Sequence, residues 1–514
     1  MSIQPPSAFR SLDKVRAAGG GLYASAGELY SDAVFGRDSV ECAEDLLHLR
    51  PEIAIEVILA LGRLQGTVDA APGPRSNEEE IGKIHHEHRS LYVGERRISP
   101  RSQELLEYLS EPSGGDAGSF TYYGSADATP LYVRLVGRFC AAYGPALLSH
   151  PLTDRDGRPI TVRDSVLAAV RWLVGRIEAS QLGLLEFCRT NPRGIAYQAW
   201  KDSGTSYVHR DGRFADHSQP IATVEVQGYA YDALTAAARL FPDHAPHWRD
   251  LAEAVRQSIL ERFWMPDQAY FAMGLDRDPQ GRPRRIESVA SNGALLLDTS
   301  VFDGLPGASR YIEGLVRRIC SDEFVTEVGV RCRSLAEEDR VDLQDYHGTW
   351  AVWAKESYDV AHGLQRQGFT RLARQLYWRI LNGVNVAGAA TEFLYVSPEQ
   401  RVHYDFADRH PRGANPQEIH GTNRPEPLQA WTVTAVLSIK SRAARPMPIT
   451  AARWRAALEN DVLPAVPLVQ PLRTASEREA AYARRGDFVL NTNVIPAGRG
   501  GGRQSRPEGS AVSR

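Results

Sequence analysis

Cysteines are few in this chain and follow no pattern. The five, Cys42, Cys140, Cys188, Cys320 and Cys332, are odd in number, scattered and never in a CxxC pair. That argues against a disulfide framework and against a zinc site, and leaves small buried hydrophobic positions as their expected role. Long apolar runs are missing too. No stretch reaches the about 18 uninterrupted apolar residues of a membrane span, and the opening "MSIQPPSAFRSLDKVRAAGG" has no apolar signal core. The expectation is a cytoplasmic protein with no membrane partner. An excess of one charge is also lacking. Lys and Arg number 60 against 63 Asp and Glu, a net charge of −3, so no global basic field draws the chain to nucleic acid. No repeat of fixed period is visible, and strand-like alternation is scarce.

What is present is helical periodicity interrupted by long polar loops. The 43% hydrophobic content and nine Trp suit a soluble chain with a large core. "VRDSVLAAVRWLVGRIEA" sets Val162, Val166, Val170, Leu173 and Ile177 along one helical face. Further helices are expected at about 39–65, 130–144, 224–240, 247–264, 308–320, 350–366, 369–382 and 428–441. After about residue 465 the periodicity stops. The closing "IPAGRGGGRQSRPEGSAVSR" is Gly- and Arg-rich, the composition of a disordered tail.

Six loop-like blocks mix acids with aromatics or His: "FGRDS" (35–39), "GKIHHEHR" (82–89), "YYGSADATPLY" (122–132), "AWKDSG" (199–204), "DYHGTW" (345–350) and "ATEFLYV" (390–396). Hydroxyl-rich ligands call for carboxylates and guanidinium groups to bond them and flat rings to lie under them, so sugar chemistry fits this mixture. Hydrolysis of a glycosidic bond needs two carboxyls, one protonated and one ionised. Asp202 and Glu392 are the candidate pair. Trp200, two residues before Asp202, suggests a walled pocket. The His85-His86-Glu87-His88 run lacks the HExxH spacing and reads as pocket polarity before metal, and no GxSxG elbow occurs. Asp38 or Ser39 suits either a helix N-cap or a sugar contact. In "PIATVEVQGYAYDAL" (220–234), Glu225 suits the first turn of a helix, with Gln227 two residues on.

In this order, and together with "EPLQAW", the blocks resemble the amylo-α-1,6-glucosidase (glycogen debranching) family of glucoamylase-like glycoside hydrolases, over roughly residues 20 to 440. The resemblance implies an all-α fold, an (α/α)6 toroid of six helical hairpins over 21–465, with an N-terminal extension (1–20) and a largely disordered C-terminal extension (466–514). It implies an inverting glycosidase with Asp202 as general acid and Glu392 as general base, cleaving α-1,6 branches of glycogen-like glucans or limit dextrins. Arg37, Asp38 and Asp127 would hold the non-reducing-end sugar. Tyr123, Trp200 and Trp350 would wall it, His347 would contact a hydroxyl, and Lys201, Glu225 and Gln227 would complete the substrate site. No metal or other cofactor is implied, and carbohydrate is the partner.

Two departures from the family pattern stand out. Tyr346-His347-Gly348-Thr349-Trp350 is one residue shorter than the family's block and lacks its proline, and "TEFLYV" lacks a preceding proline. Glu356 and Glu399 are the next acids in line for the base. Other readings on the same scaffold are a hydrolase of small glucosides or mannosides, a sugar phosphorylase or epimerase, and a non-catalytic carbohydrate-binding protein.

Overall fold

A computed structural model describes residues 5–27, 30–90, 92–93, 96–97, 119–203, 206–338, 347–403, 425–442 and 454. The extension expected at 466–514 lies outside the described residues. Among those described, twelve α-helices alternate with long loops: α1 (Pro5–Val15), α2 (Gly36–Leu46), α3 (Pro51–Arg63), α4 (Ala128–Tyr143), α5 (Val162–Ala179), α6 (Val224–Leu240), α7 (Ala245–Ser258), α8 (Asn292–Leu295), α9 (Ser309–Ile319), α10 (Ala354–Arg366), α11 (Thr370–Ala387) and α12 (Ala430–Arg442).

Local chemistry sets several of the boundaries. Thr161 and Asp164 form a capping box at the start of α5, satisfying backbone donors that would otherwise be orphaned. The run expected as one helix at 39–65 breaks into α2 and α3 because Pro51 occupies the first turn of a new helix. α11 ends on Gly388, whose φ of 71° is a left-handed cap. Neither Asp38 nor Ser39 is an N-cap, since Phe35 holds that position and Asp38 falls inside the first turn.

Helix contacts have a simple order. α2 touches α4, α4 touches α6, α6 touches α8, α8 touches α10, α10 touches α12, and α12 returns to α2. The other six each back onto that circuit: α1 on α12, α3 on α2 and α4, α5 on α4 and α6, α7 on α6, α9 on α8, α11 on α10 and α12. Part of the segment expected as an N-terminal extension is therefore packed into the helical body through α1. Circuit helices α2, α4, α6 and α12 are buried on most of their faces, as helices enclosed by others must be.

Short strands feed these helices. β1 (Ala33–Phe35) runs directly into α2 and pairs antiparallel with β2 (Glu87–Ser90), which pairs in turn with β3 (Ser119–Tyr122), so that Glu87 lies between Phe35 and Tyr122. β4 (Ala351–Trp353) runs into α10 and pairs with β5 (Phe393–Val396), which pairs with β6 (Val402–His403) and sets Trp353 opposite Phe393. Among the described residues none of the five cysteines forms a disulfide, and four are buried. No helix among the described residues is long and apolar enough to cross a membrane.

The circuit buries charge as well as apolar surface. Lys355 bonds Asp359 and lies 3.3 Å from Asp45, whose other oxygen accepts from Thr434 at 3.1 Å. Glu44 takes hydrogen bonds from Arg134 and Arg138, each at 3.0 Å. Burial pushes Glu41, Asp45 and Asp359 up to about 7, against the pull of Lys355. Their carboxyls lose protons in the unfolded chain near pH 4, while the folded chain keeps them to about 7. The stability these three groups contribute is therefore full below pH 4 and is lost as pH rises to about 7. Asp38, Glu225 and Glu392 are shifted the same way. Calorimetry should find a lower Tm at pH 8 than at pH 6, and a smaller difference in Asp359→Asn.

Candidate active site

Side chains at the N-terminal ends of the six circuit helices gather here: Arg37 and Asp38 in α2, Asp127 capping α4, Glu225 in α6, Ser291 before α8, Glu356 in α10 and Trp431 in α12. Helix N-termini favour negative charge, so acids are at home in these first turns. Arg37 is the cation among them. Its guanidinium donates to Asp127 at 3.0 Å, lies 3.4 Å from Asp38 and 3.7 Å from Asp202, and sits 5.4 Å from the centre of the Trp200 ring. Asp38 is pushed up to about 6, mainly by burial and against the pull of Arg37. Asp202 is the most open of the three carboxylates facing Arg37, with 19% of its side chain accessible.

Trp200 is wedged in an aromatic cluster. Trp353 and Trp431 meet it edge to face at 5.1 and 5.2 Å, and His347 does so at 5.3 Å. His347 also stacks on Trp353 at 5.4 Å. Burial first, then Lys201 and Arg37, hold its imidazole well below the usual range, in the neutral form. The Trp200 indole donates to Glu356 at 3.0 Å, while Lys201 bonds Glu356 and donates to Ser291 at 3.1 Å. Ser291 and Cys332 add their own bonds to the same carboxylate. This clamp fixes the two residues directly before Asp202.

Glu392 reaches the cluster from the far end of the chain. Its backbone N–H donates to the Glu426 carbonyl at 2.9 Å, and the Glu426 N–H donates back to the Glu392 carboxylate at 3.0 Å. Burial pushes Glu392 up to about 8, and the neighbouring charges of Glu426, Asp38 and Asp202 add to that. The same two carboxylates, Glu392 and Asp202, help raise the buried Tyr30 phenol. Asp202, Asp38 and Glu392 thus lie within one another's fields.

Other expected site residues are placed differently. The Lys201 ammonium is fully buried and bonded to Glu356 and Ser291. Gln227 is likewise committed, its amide bonding the Leu185 backbone in both directions and the Thr223 carbonyl. The Tyr123 hydroxyl donates to the Leu64 carbonyl and accepts from Arg155. Trp350 donates to Glu338 at 2.7 Å, and Trp353 rather than Trp350 lies against Trp200. The Glu225 carboxylate is fully buried, with Asn292 and Thr223 beside it, and burial pushes it up to about 7. Of the alternative bases, Glu356 is saturated by its donors and Glu399 is exposed.

His86 packs edge to face on Phe35 and Tyr122, and His88 pairs with Thr121 at 2.8 Å. Among the described residues no group of three or more His, Cys, Asp or Glu is placed to hold a metal ion. A surface cleft of about 430 Å³ between Glu261 and Glu287 shares no residue with the cluster. Residues not singled out from sequence are Tyr30, Trp353, Phe393, Glu426 and Trp431. Glu426 and Trp431 lie within "EPLQAW", so a signal was there. Trp353 carried none beyond being aromatic.

No protein-family model matches the chain, and no curated protein matches it by sequence. Its fold is similar to that of solved structures. A GH63 mannosylglycerate hydrolase from Thermus thermophilus in complex with glucose aligns with a TM-score of 0.51 at 15% identity, covering 85% of this chain and 99% of that one. The same hydrolase with Tris and D-glycerate aligns with a TM-score of 0.50 over the same shares, again at 15% identity. The likeness is one of fold.

The clamp on Trp200 and Lys201 has a measurable consequence. Glu356→Ala leaves a buried ammonium and a buried indole without their acceptor and should cost about 3–5 kcal/mol of stability. Urea denaturation measures this, and a loss below about 1 kcal/mol would mean that the pair contributes no more than a surface ion pair.

Proposed function

We propose that the chain is a glycoside hydrolase that removes an α-linked glucosyl or closely related hexosyl unit by an inverting, two-carboxylate mechanism, on an (α/α)6 toroid of six helical hairpins. What supports the reading is that Asp202 and Glu392, from distant loops, lie within each other's electrostatic reach, with Asp202 beside Arg37 and Trp200 packed among tryptophans. The closed circuit of six helices, each backed by another, supports the toroid. Fold likeness to a glycoside hydrolase supports the reaction class.

In this reading Asp202 gives its proton to the glycosidic oxygen as the bond from that oxygen to the anomeric carbon breaks. Glu392 takes a proton from the water that attacks the same carbon from the opposite face, forming the new carbon–oxygen bond with inversion. Arg37, Asp38 and Asp127 hold hydroxyls of the non-reducing-end sugar, whose anomeric carbon is attacked, and Trp200 walls its ring. The family resemblance points to α-1,6 branches of glycogen-like glucans or limit dextrins. Small glucosides or mannosides are the second reading, favoured by the burial of nearly every polar side chain in the cluster. Binding without chemistry is disfavoured by the two carboxyls.

Sugar release from isomaltose, panose, branched limit dextrin, glucosylglycerate and mannosylglycerate, followed by NMR of the first-formed anomer, tests the proposal. Release with inversion, lowered about 10²–10⁴-fold in Asp202→Asn and in Glu392→Gln, is the expected result. Folded protein that cleaves none of them would overturn it.

A pH profile assigns the roles. Glu392 holds its proton to about 8, so if it is the base, Asp202→Asn acting on aryl glycosides that need no acid shows kcat/KM climbing about tenfold per pH unit up to that value and then levelling off. A raised carboxyl also suits a proton donor. If Glu392 is the acid instead, the rate falls through about pH 8, and Glu392→Gln rather than Asp202→Asn keeps its rate on aryl glycosides with good leaving groups.

A further inference from the structure

Three backbone segments meet behind Glu392. Residues 24–26 pair with 428–430 through Ala26 N–H to the Leu428 carbonyl and Ala430 N–H to the Ala24 carbonyl, at 2.9 and 2.8 Å. Residues 390–392 pair with 426–429 through Gln429 N–H to the Ala390 carbonyl at 2.8 Å and Glu392 N–H to the Glu426 carbonyl at 2.9 Å. Glu426 stands where the segments cross. Its N–H holds one oxygen of the Glu392 carboxyl at 3.0 Å, and its own carboxylate accepts from the Ser25 hydroxyl at 2.6 Å. Both side chains are buried. Gly27 closes the arrangement, since a Cβ there would lie 1.8 Å from the Glu426 carboxylate. The chain thus uses a hydroxyl and a missing side chain to keep a second acid next to the first.

Burying one carboxylate beside another is unfavourable, and arrangements that bear this cost cluster at functional sites. We infer that Glu426, anchored by Ser25, is a positioning residue that aims the Glu392 carboxyl and keeps a negative charge next to it. The inference rests on the reading of Glu392 as one of the two reacting carboxyls. Other groups facing Glu392 are Asp38 of α2, Asp202 of the loop that follows Trp200 and the Tyr30 phenol, with Arg37 held by Asp127, Asp38 and Asp202. The Glu426 N–H favours the ionised Glu392 carboxyl while the Glu426 charge favours its proton, so a substitution that removes the charge and keeps the N–H eases ionisation.

The test is a titration of the Glu392 carboxyl by carbon NMR in full-length protein labelled at glutamate, with the resonance assigned by its loss in Glu392→Gln. Glu426→Gln should lower the midpoint by on the order of one pH unit, and Ser25→Ala, which removes one donor to the Glu426 carboxylate, should lower it by less. Where a hydrolysed substrate is in hand, the corresponding limb of kcat/KM should move with the midpoint. An unchanged midpoint in folded Glu426→Gln would overturn the inference, as would an unchanged midpoint in Ser25→Ala if Glu426→Gln does not fold. Wild-type protein that hydrolyses nothing defeats the proposed function alone, because the titration needs no substrate.

Discussion

Arg37 carries the electrostatic balance of the candidate site. Its guanidinium stands within 4 Å of three carboxylates from three parts of the chain, Asp38, Asp127 and Asp202, and lies over the Trp200 ring. Without that cation, three acids would face one another in a setting too dry to screen them. With it, Asp127 is fixed at the cap of α4, and Asp202 is left partly open at the edge of the group. Arg37 can do this because β1 delivers it straight into the first turn of α2, beside the N-terminal ends of the other circuit helices.

Those helix ends solve a second problem. A circuit of buried helices leaves orphan backbone donors at each N-terminus, and these donors and the helix dipoles favour acids. Placing Asp38, Asp127, Glu225 and Glu356 in or beside first turns meets that preference and concentrates carboxylates at one place in the fold. The same crowding explains why burial raises Asp38, Glu225 and Glu392. Perturbed carboxyls of this kind mark functional sites and also occur in structural ion networks. The Lys355 network in the circuit shows the structural kind, for its acids Asp45 and Asp359 are paired to a buried cation.

Support behind the site is as ordered as the site. Glu356 gathers Trp200, Lys201, Ser291 and Cys332 onto one carboxylate. Glu78, in a left-handed conformation with φ 60°, accepts from Tyr122, Gln198 and the Thr190 and Asn191 backbone. A non-glycine residue holds that conformation only where its surroundings over-determine it. Together these two acids tie the loop that precedes Asp202 to β3 and α10.

The sequence by itself determined the helices, because apolar spacing repeats locally, and it marked Arg37, Asp127, Asp202 and Glu392 as unusual by setting acids and Arg among aromatics and turn residues. It also carried the break at Pro51, a local steric fact. What only the tertiary structure decided was which polar groups are free. Lys201 and Gln227 sit in the same blocks as the site residues, yet their hydrogen bonds are spent on Glu356, Ser291, Leu185 and Thr223. Trp353, which no motif marked, lies against Trp200 from a strand paired with β5. Hydrogen-bond saturation and ring contacts are set by partners far away in the chain, and no spacing rule reaches that distance. Glu426 shows this most plainly, since its meaning comes from Ser25 and Glu392, and the three residues meet only once the chain has closed on itself.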